Sequence, residues 1–214
     1  MAKIKAVLFD LDGTLVDTFE SIVISFNEAL KFLGAKPANR KILTESIGAP
    51  HEVTLKKFVP KATQEEIHKA TDVFRKTRAK TTDRYTKVLP GVSKLLKNLK
   101  SKNIKTGVVT TTAKAMSEHI LKAANLYNLI DVLITRDDVE NLKPDPEPVL
   151  KALVKLNLNN DECVMVGDHP NDIISAKSAN VRVIAIPNVY DKEILEKYKP
   201  DYIFDRIIDV ESVI

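Results

Sequence analysis

The chain has 214 residues, 44% of them hydrophobic and 29% charged, a globular composition with room for one sizeable core and a smaller accessory unit, which excludes a disordered chain. Its net charge of +4 arises from 33 Lys and Arg against 29 Asp and Glu. The lysines are scattered among acids, so nucleic-acid binding is not supported, while a mildly basic surface favours an anionic small partner. No apolar run approaches the ~20 residues that span a bilayer. Met1 to Ile4 passes straight into the first strand without a signal-peptide pattern, so the expectation is a soluble cytoplasmic protein with no membrane partner, acting as a monomer or homodimer. The lone cysteine, Cys163, sits in the apolar run Cys163-Val164-Met165-Val166 and reads as a buried structural thiol.

In chain order, Ala6-Val7-Leu8-Phe9 reads as a strand buried on both faces, and it stops at two carboxylates, Asp10 and Asp12. Phe19, Ile22, Phe26, Leu30 and Leu33 then recur at helical spacing up to Gly34. Asn39 to Ile47 reads as a short helix closed by Gly48, and Pro50 to Phe58 as another. Thr63-Gln64-Glu65-Glu66 is a capping-box signature opening a polar helix that reaches about Arg84. Nothing in residues 18–85 looks like a strand. After Val88-Leu89-Pro90-Gly91, the residues Val92, Leu95, Leu96 and Leu99 mark a helix, and Ile104 to Thr110 reads as a second buried strand.

Strand and helix alternate from there. Helices are expected over 113–125, 147–157, 171–180 and 191–198, and strands over 132–134, 163–166 and 181–186, with an edge strand at 202–204. Such alternation predicts an α/β fold, a doubly wound parallel sheet of Rossmann type with right-handed crossovers. The expected core is 1–17 with 86–214, and the all-helical segment 18–85 is an inserted cap.

Reactive residue types gather where the strands end, which is where ligands collect in parallel sheets. The second strand ends at Thr110-Thr111-Thr112, hydroxyls and free N–H groups that suit an anion. The fourth ends at Gly167-Asp168-His169-Pro170-Asn171-Asp172, two acids that read equally well as helix caps. Between them lies Asn141-Leu142-Lys143-Pro144-Asp145-Pro146; a lone Lys before Pro is ordinarily a solvated charge. Each signal is weak alone, and their order gives them weight.

With Asp10-x-Asp12-Gly13-Thr14, Thr110, Lys143 and Gly167-Asp168-x-x-x-Asp172 in sequence, the whole chain resembles the haloacid dehalogenase superfamily. The likeness is to its Mg²⁺-dependent phosphatases with a helical cap inserted after the first motif, the phosphoglycolate phosphatases in particular. Three close carboxylates repel by about 4 kcal/mol per pair at ~4 Å and an effective dielectric near 20, so Asp10, Asp12 and Asp168 together call for a cation. Oxygen donors without a His or Cys cluster select Mg²⁺ over Zn²⁺. The resemblance implies that Asp10 and Asp168 ligate Mg²⁺ with the backbone carbonyl of Asp12, and that Asp172 acts at or just outside that shell. It also implies that Asp10 attacks phosphorus, that Asp12 is the acid and then the base, and that Thr110, the Thr111 N–H and Lys143 hold the phosphoryl oxygens.

Substrate choice is then expected in the cap, with the turn Ile47-Gly48-Ala49-Pro50-His51-Glu52 as the candidate loop. Gly48 reads equally as a helix C-cap and His51 as an exposed loop residue; Arg75, Arg78 and Lys80 read as a solvated face. Two departures from the commoner pattern stand out. Thr111-Thr112 follow Thr110 where many relatives carry Asn or Ser and then Lys, and His169-Pro170 replaces a small hydroxylic residue and its neighbour. His169 then either reaches the phosphate mouth or faces water. The expected partner is a small phosphorylated metabolite. Alternatives on the same scaffold are an inorganic pyrophosphatase, a sugar-phosphate mutase, or a catalytically silent binding module; dehalogenation is disfavoured because it needs neither the metal nor Asp12.

Overall fold

The computed structural model describes residues 3–44 and 50–214. Along the chain the elements are β1 (Ala6–Phe9), β2 (Val16–Asp17), α1 (Phe19–Phe32), α2 (Arg40–Thr44), α3 (His51–Phe58) and α4 (Gln64–Tyr85), then β3 (Lys87–Val88), α5 (Val92–Ser101), β4 (Lys105–Val109), α6 (Lys114–Ala123) and β5 (Val132–Ile134). The chain continues through α7 (Glu147–Leu156), β6 (Cys163–Gly167), α8 (Pro170–Ser178), β7 (Arg182–Ala185), α9 (Lys192–Glu196) and β8 (Tyr202–Ile203). It divides into two compact units, Met1–Asp17 with Lys87–Ile214, and Thr18–Thr86.

The first unit is built on a six-stranded sheet of order β5-β4-β1-β6-β7-β8, parallel throughout. β1 is apolar at every position because both its faces are covered. Val7 and Phe9 join Leu95, Leu99, Val164 and Val166 in one core, while Ala6 and Leu8 join Val149, Cys163, Met165 and Val183 in the other. The period of two along β1 and β6 therefore distributes side chains between two helix layers. Cys163 is fully buried, and burial pushes its thiol up to about 12, which fits an inert core residue. From β1 the sheet proceeds to β4 on one side and β6 on the other, so the strand order reverses at β1 and a crevice opens beyond its carboxyl end.

β2 and β3 pair antiparallel, with Val16 opposite Val88 and Asp17 opposite Lys87. This ribbon was not expected from the sequence, since two-residue strands carry no periodicity to read. A 3-10 segment, Ile207–Val213, follows β8 and packs Ile207 and Val210 into the first core.

The second unit is helical. Ile22, Phe26 and Leu30 of α1 meet Leu55 of α3 and Ile67, Ala70 and Phe74 of α4. The capping box at α4 is formed: the Thr63 hydroxyl accepts from the Glu66 N–H at 3.2 Å, and the Glu66 carboxylate accepts from the Thr63 N–H at 2.7 Å. α1 ends with Gly34 at φ +70° and the Ala35 N–H on the Leu30 carbonyl at 2.9 Å, a Schellman closure that favours glycine. Arg75 is exposed and pairs with Glu52 at 3.3 Å. Arg78, by contrast, is only 5% exposed, so the solvated-face reading fails for it. Thr71, Phe74, Arg78 and Thr82 are all buried on α4, and their spacing of three or four residues is that of one inward stripe. Among the described residues, no helix is long and apolar enough to cross a membrane.

Gly107 shows how tightly the sheet is packed. A Cβ there lies 2.5 Å from Leu8 Cδ2 and 2.7 Å from Val132 Cγ1, both in buried positions on the neighbouring strands. Gly107→Ala is expected to lower stability by about 1–3 kcal/mol through overpacking, read as a lower urea midpoint with an unchanged slope. A midpoint equal to wild type refutes the packing argument.

Candidate active site

Two strand ends and the first turn of a helix converge on one group of side chains. Asp10 follows β1, its N–H held by the Val166 carbonyl at 2.9 Å. Asp168 follows β6, and Asp172 sits in the first turn of α8. Among the described residues, Asp10, Asp168 and Asp172 each offer a carboxylate oxygen within 4.8 Å of the others. All three are nearly or fully removed from solvent.

Lys143 is drawn into this cluster from the loop ahead of α7. Its ammonium donates to Asp10 Oδ1 at 2.8 Å, to Asp172 Oδ1 at 2.6 Å and to the Val109 carbonyl at 2.7 Å. These contacts use its three donors, and the residue is 6% exposed, the opposite of a solvated lysine before proline. Burial alone lowers a lysine's affinity for its proton, but the charges of Asp10 and Asp172 outweigh that and hold it above the ordinary range. Lys143 is therefore a fixed cation.

One ammonium does not balance the acids. Burial pushes the Asp10 carboxyl up to about 7, with Lys143 opposing and the charges of Asp172 and Asp12 adding to the rise. Asp168 is raised well above the carboxylate range, first by burial and then by Asp10 and Asp172, while the Thr14 hydroxyl and Lys143 oppose. The donor set is oxygen only and short of positive charge, which fits a hard divalent cation such as Mg²⁺.

Backbone and small groups hold the acids in place. Gly13 has φ +94°, and a Cβ there falls 2.3 Å from Asp168 Oδ2, so glycine is required by conformation and by space. A Cβ on Gly167 falls 2.3 Å from Asp172 Oδ2. The Thr14 hydroxyl donates to Asp168 Oδ1 at 2.6 Å, and Asn188 Nδ2 donates to the Gly13 carbonyl at 2.6 Å. Asp172 Oδ2 accepts the His169 N–H at 3.1 Å, completing a capping box on α8. The acid is thus a helix cap and a member of the cluster at once.

The other sequence candidates are distributed as follows. Thr110 is buried at the end of β4, where its hydroxyl accepts the Thr112 N–H at 3.1 Å. Thr111 is half-buried in the following bend. The side chain of Asp12 is not part of the three-acid group; its Oδ2 accepts the Thr112 hydroxyl at 2.8 Å. His169 Nδ1 accepts the Asn171 N–H at 2.9 Å, and its ring meets Tyr190 edge-on at 4.8 Å, so it caps α8 and packs. His51 belongs to the helical unit, where its ring lies 4.0 Å from that of Phe74 and 5.7 Å from that of Phe26. Gly48 lies outside the described residues. Sequence reasoning gave Thr14 no role beyond its place in a motif, placed Thr112 only in a hydroxyl cluster suited to an anion and not on Asp12, and missed Asn188. Thr14 could have been found from its position in Asp-x-Asp-Gly-Thr, whereas Asn188 carries no local signal.

A sheet with this strand order and an acidic, lysine-braced crevice defines a hydrolase of the haloacid dehalogenase-like class. Residues 7–186 match that hydrolase family, and the chain belongs to it. The "Putative pyrophosphatase PpaX" of Caldanaerobacter subterraneus subsp. tengcongensis is 39% identical over 214 residues, covering 99% of this chain and 95% of its own. Pyrophosphatase PpaX of Bacillus mycoides is 34% identical over 213 residues, covering 99% and 97%. Among solved structures, a predicted phosphoglycolate phosphatase from Haemophilus somnus superposes with a TM-score of 0.92 at 27% identity, covering 100% of this chain and 99% of that one. The protein is a phosphatase-type hydrolase of this family.

The raised acids make the metal-free protein pH-sensitive. Folded Asp10 keeps its proton up to about 7 whereas the unfolded chain releases it near 3.8, so the folded state binds more protons between those values. Stability in the absence of metal therefore falls as pH rises through that window. A divalent cation competes with the same protons, so the rise in Tm on adding Mg²⁺ is expected to be larger at pH 8 than at pH 5.5. Equal shifts at both pH values, measured by thermal denaturation, contradict binding at this cluster.

Proposed function

We propose that the protein is a Mg²⁺-dependent phosphohydrolase that works through an aspartyl-phosphate on Asp10, with inorganic pyrophosphate as its foremost substrate and small phosphate monoesters such as phosphoglycolate as the second class. The observation that carries this reading is the clamp of Lys143 on Asp10. It orients one carboxylate oxygen and leaves the other for attack, in a crevice where phosphoryl charge meets an ammonium and backbone N–H groups. Identity favours pyrophosphate over phosphoglycolate: the relatives named pyrophosphatase match at 34% and 39%, and the structure named phosphoglycolate phosphatase at 27%.

In the first half-reaction the free oxygen of Asp10 bonds to phosphorus as the bond to the leaving oxygen breaks, and Asp12 gives that oxygen its proton. In the second, Asp12 takes a proton from water as the water oxygen bonds to phosphorus and the Asp10–phosphorus bond breaks. Thr110 and the Thr111 N–H are assigned to the phosphoryl oxygens. Lys143 offsets the charge of Asp10, and an incoming oxygen gains a hydrogen bond from it only by exchange with one of its three acceptors. Asp10, Asp168 and Asp172, with the Asp12 backbone carbonyl, are assigned to Mg²⁺, whose charge offsets the repulsion between a carboxylate and a phosphoryl group. Substrate choice is assigned to residues 18–85. Within them Gly48 remains a candidate, while the contacts of His51 with Phe26 and Phe74 favour a packing role.

Turnover of pyrophosphate, phosphoglycolate and a panel of other phosphate esters, with and without Mg²⁺, tests the reading. Activity is expected only with metal, and kcat/KM is expected to be highest for pyrophosphate. Asp10→Asn should lose about 10³-fold or more in kcat with an unchanged circular dichroism spectrum. Wild-type inactivity on the whole panel with Mg²⁺ present leaves the binding-module alternative.

A further inference from the structure

The Thr112 hydroxyl is on Asp12. We propose that Thr112 is a positioning residue for proton transfer, fixing the Asp12 carboxyl against the leaving oxygen; this rests on the phosphatase reading above.

The contact links loops a hundred residues apart in sequence, Thr112 Oγ1 to Asp12 Oδ2 at 2.8 Å. Thr112 is itself anchored on three sides. Its N–H donates to Thr110 Oγ1 at 3.1 Å, and its carbonyl accepts from the Arg136 N–H and from the Ser117 hydroxyl, each at 3.3 Å. The backbone of Asp12 lies in a turn closed by the Gly13 N–H on the Val16 carbonyl at 2.7 Å and the Leu15 N–H on the Leu11 carbonyl at 3.0 Å. The turn fixes where the Asp12 side chain begins, and Thr112 fixes where its carboxyl points. Both residues are half-buried, so water competes with any looser contact.

A hydroxyl is chemically suited to this position. It donates to Asp12 Oδ2 whether the carboxyl is ionised or carries its one proton on the other oxygen. With the acid proton carried on Oδ1, facing the leaving oxygen, Oδ2 goes on accepting from Thr112, so the same contact serves both halves of the cycle. In the first half the Asp10–phosphorus bond forms, the phosphorus–leaving-oxygen bond breaks, and the Asp12 proton goes to the leaving oxygen. That transfer matters most when the leaving group is strongly basic. A mispositioned Asp12 should slow poor leaving groups and spare good ones.

The test compares phenyl phosphate, p-nitrophenyl phosphate and pyrophosphate, using kcat/KM because it covers the steps up to formation of the aspartyl-phosphate. Thr112→Val is expected to lower kcat/KM for phenyl phosphate and pyrophosphate by about tenfold or more, and for p-nitrophenyl phosphate by less than about twofold. Thr112→Ser should recover most of the loss, and KM for pyrophosphate should change little. An equal loss on both aryl esters, or no loss on pyrophosphate, overturns the proposal in favour of a loop-bracing role. If Thr112→Val does not fold, Thr112→Ala is read by the same ratios. Wild-type inactivity on all three substrates is a different failure and sinks the phosphatase reading itself.

Discussion

The acidic end of the sheet depends on one buried ammonium. Lys143 Nζ divides its hydrogens among Asp10, Asp172 and the Val109 carbonyl, and so ties β1, β4 and α8 to the loop ahead of α7. Two buried ion pairs at 2.8 and 2.6 Å cannot be credited with much net stability, because desolvation of the partners offsets most of the attraction. Their value lies in specificity of arrangement. Without the ammonium, Asp10 and Asp172 face each other in a dry crevice, and one of them must take up a proton or move into water. With it, both carboxylates stay where the strand ends place them. Burial first, and then the charges of the neighbouring acids, make Asp10 and Asp168 hold protons more tightly than ordinary carboxyls. A buried cluster of three acids with one ammonium is a donor set that a hard divalent cation would suit.

Glycine is the other constraint. Gly13 and Gly167 lie where a Cβ falls within 2.3 Å of Asp168 and Asp172 respectively. Asp168 presses on the backbone of the opposing loop at Gly13, and Asp172 on the end of the strand that precedes it at Gly167, so neither position has room for a side chain. Thr14 and Asn188 finish the packing by supplying hydrogen bonds to Asp168 and to the Gly13 carbonyl. These contacts come from groups that cannot ionise, so the nearest positive charge to the acids is that of Lys143.

How much of this could be read in advance follows from the type of signal each feature leaves. The strands of the main sheet were legible because burial on both faces writes continuous apolar runs, and the acids because they interrupt those runs abruptly. The β2–β3 ribbon left no trace, since two residues have no period. Lys143 was readable only through its neighbours in motif order; by itself Lys before Pro points to the surface, and burial reverses that. Arg78 misled for a related reason: its charge outweighed its position on the stripe Thr71, Phe74, Arg78, Thr82, although spacing was the better guide. Thr112 and Asn188 act across 100 and 175 residues, a separation at which only the fold brings partners together.

Asp172 shows why rival readings of one residue need not exclude each other. From sequence it was either the cap of a helix or a member of an acidic site. The structure gives its two oxygens separate partners, Oδ2 accepting the His169 N–H at the start of α8 and Oδ1 accepting from Lys143. A carboxylate has lone pairs enough for both, and the two contacts reinforce each other. The cap contact orients Asp172 at the N-terminus of α8, where the helix dipole favours negative charge. That orientation is what brings Oδ1 within reach of the ammonium that holds Asp10. Local capping chemistry, legible in four consecutive residues, thereby sets the position of a charge on a strand that begins the chain.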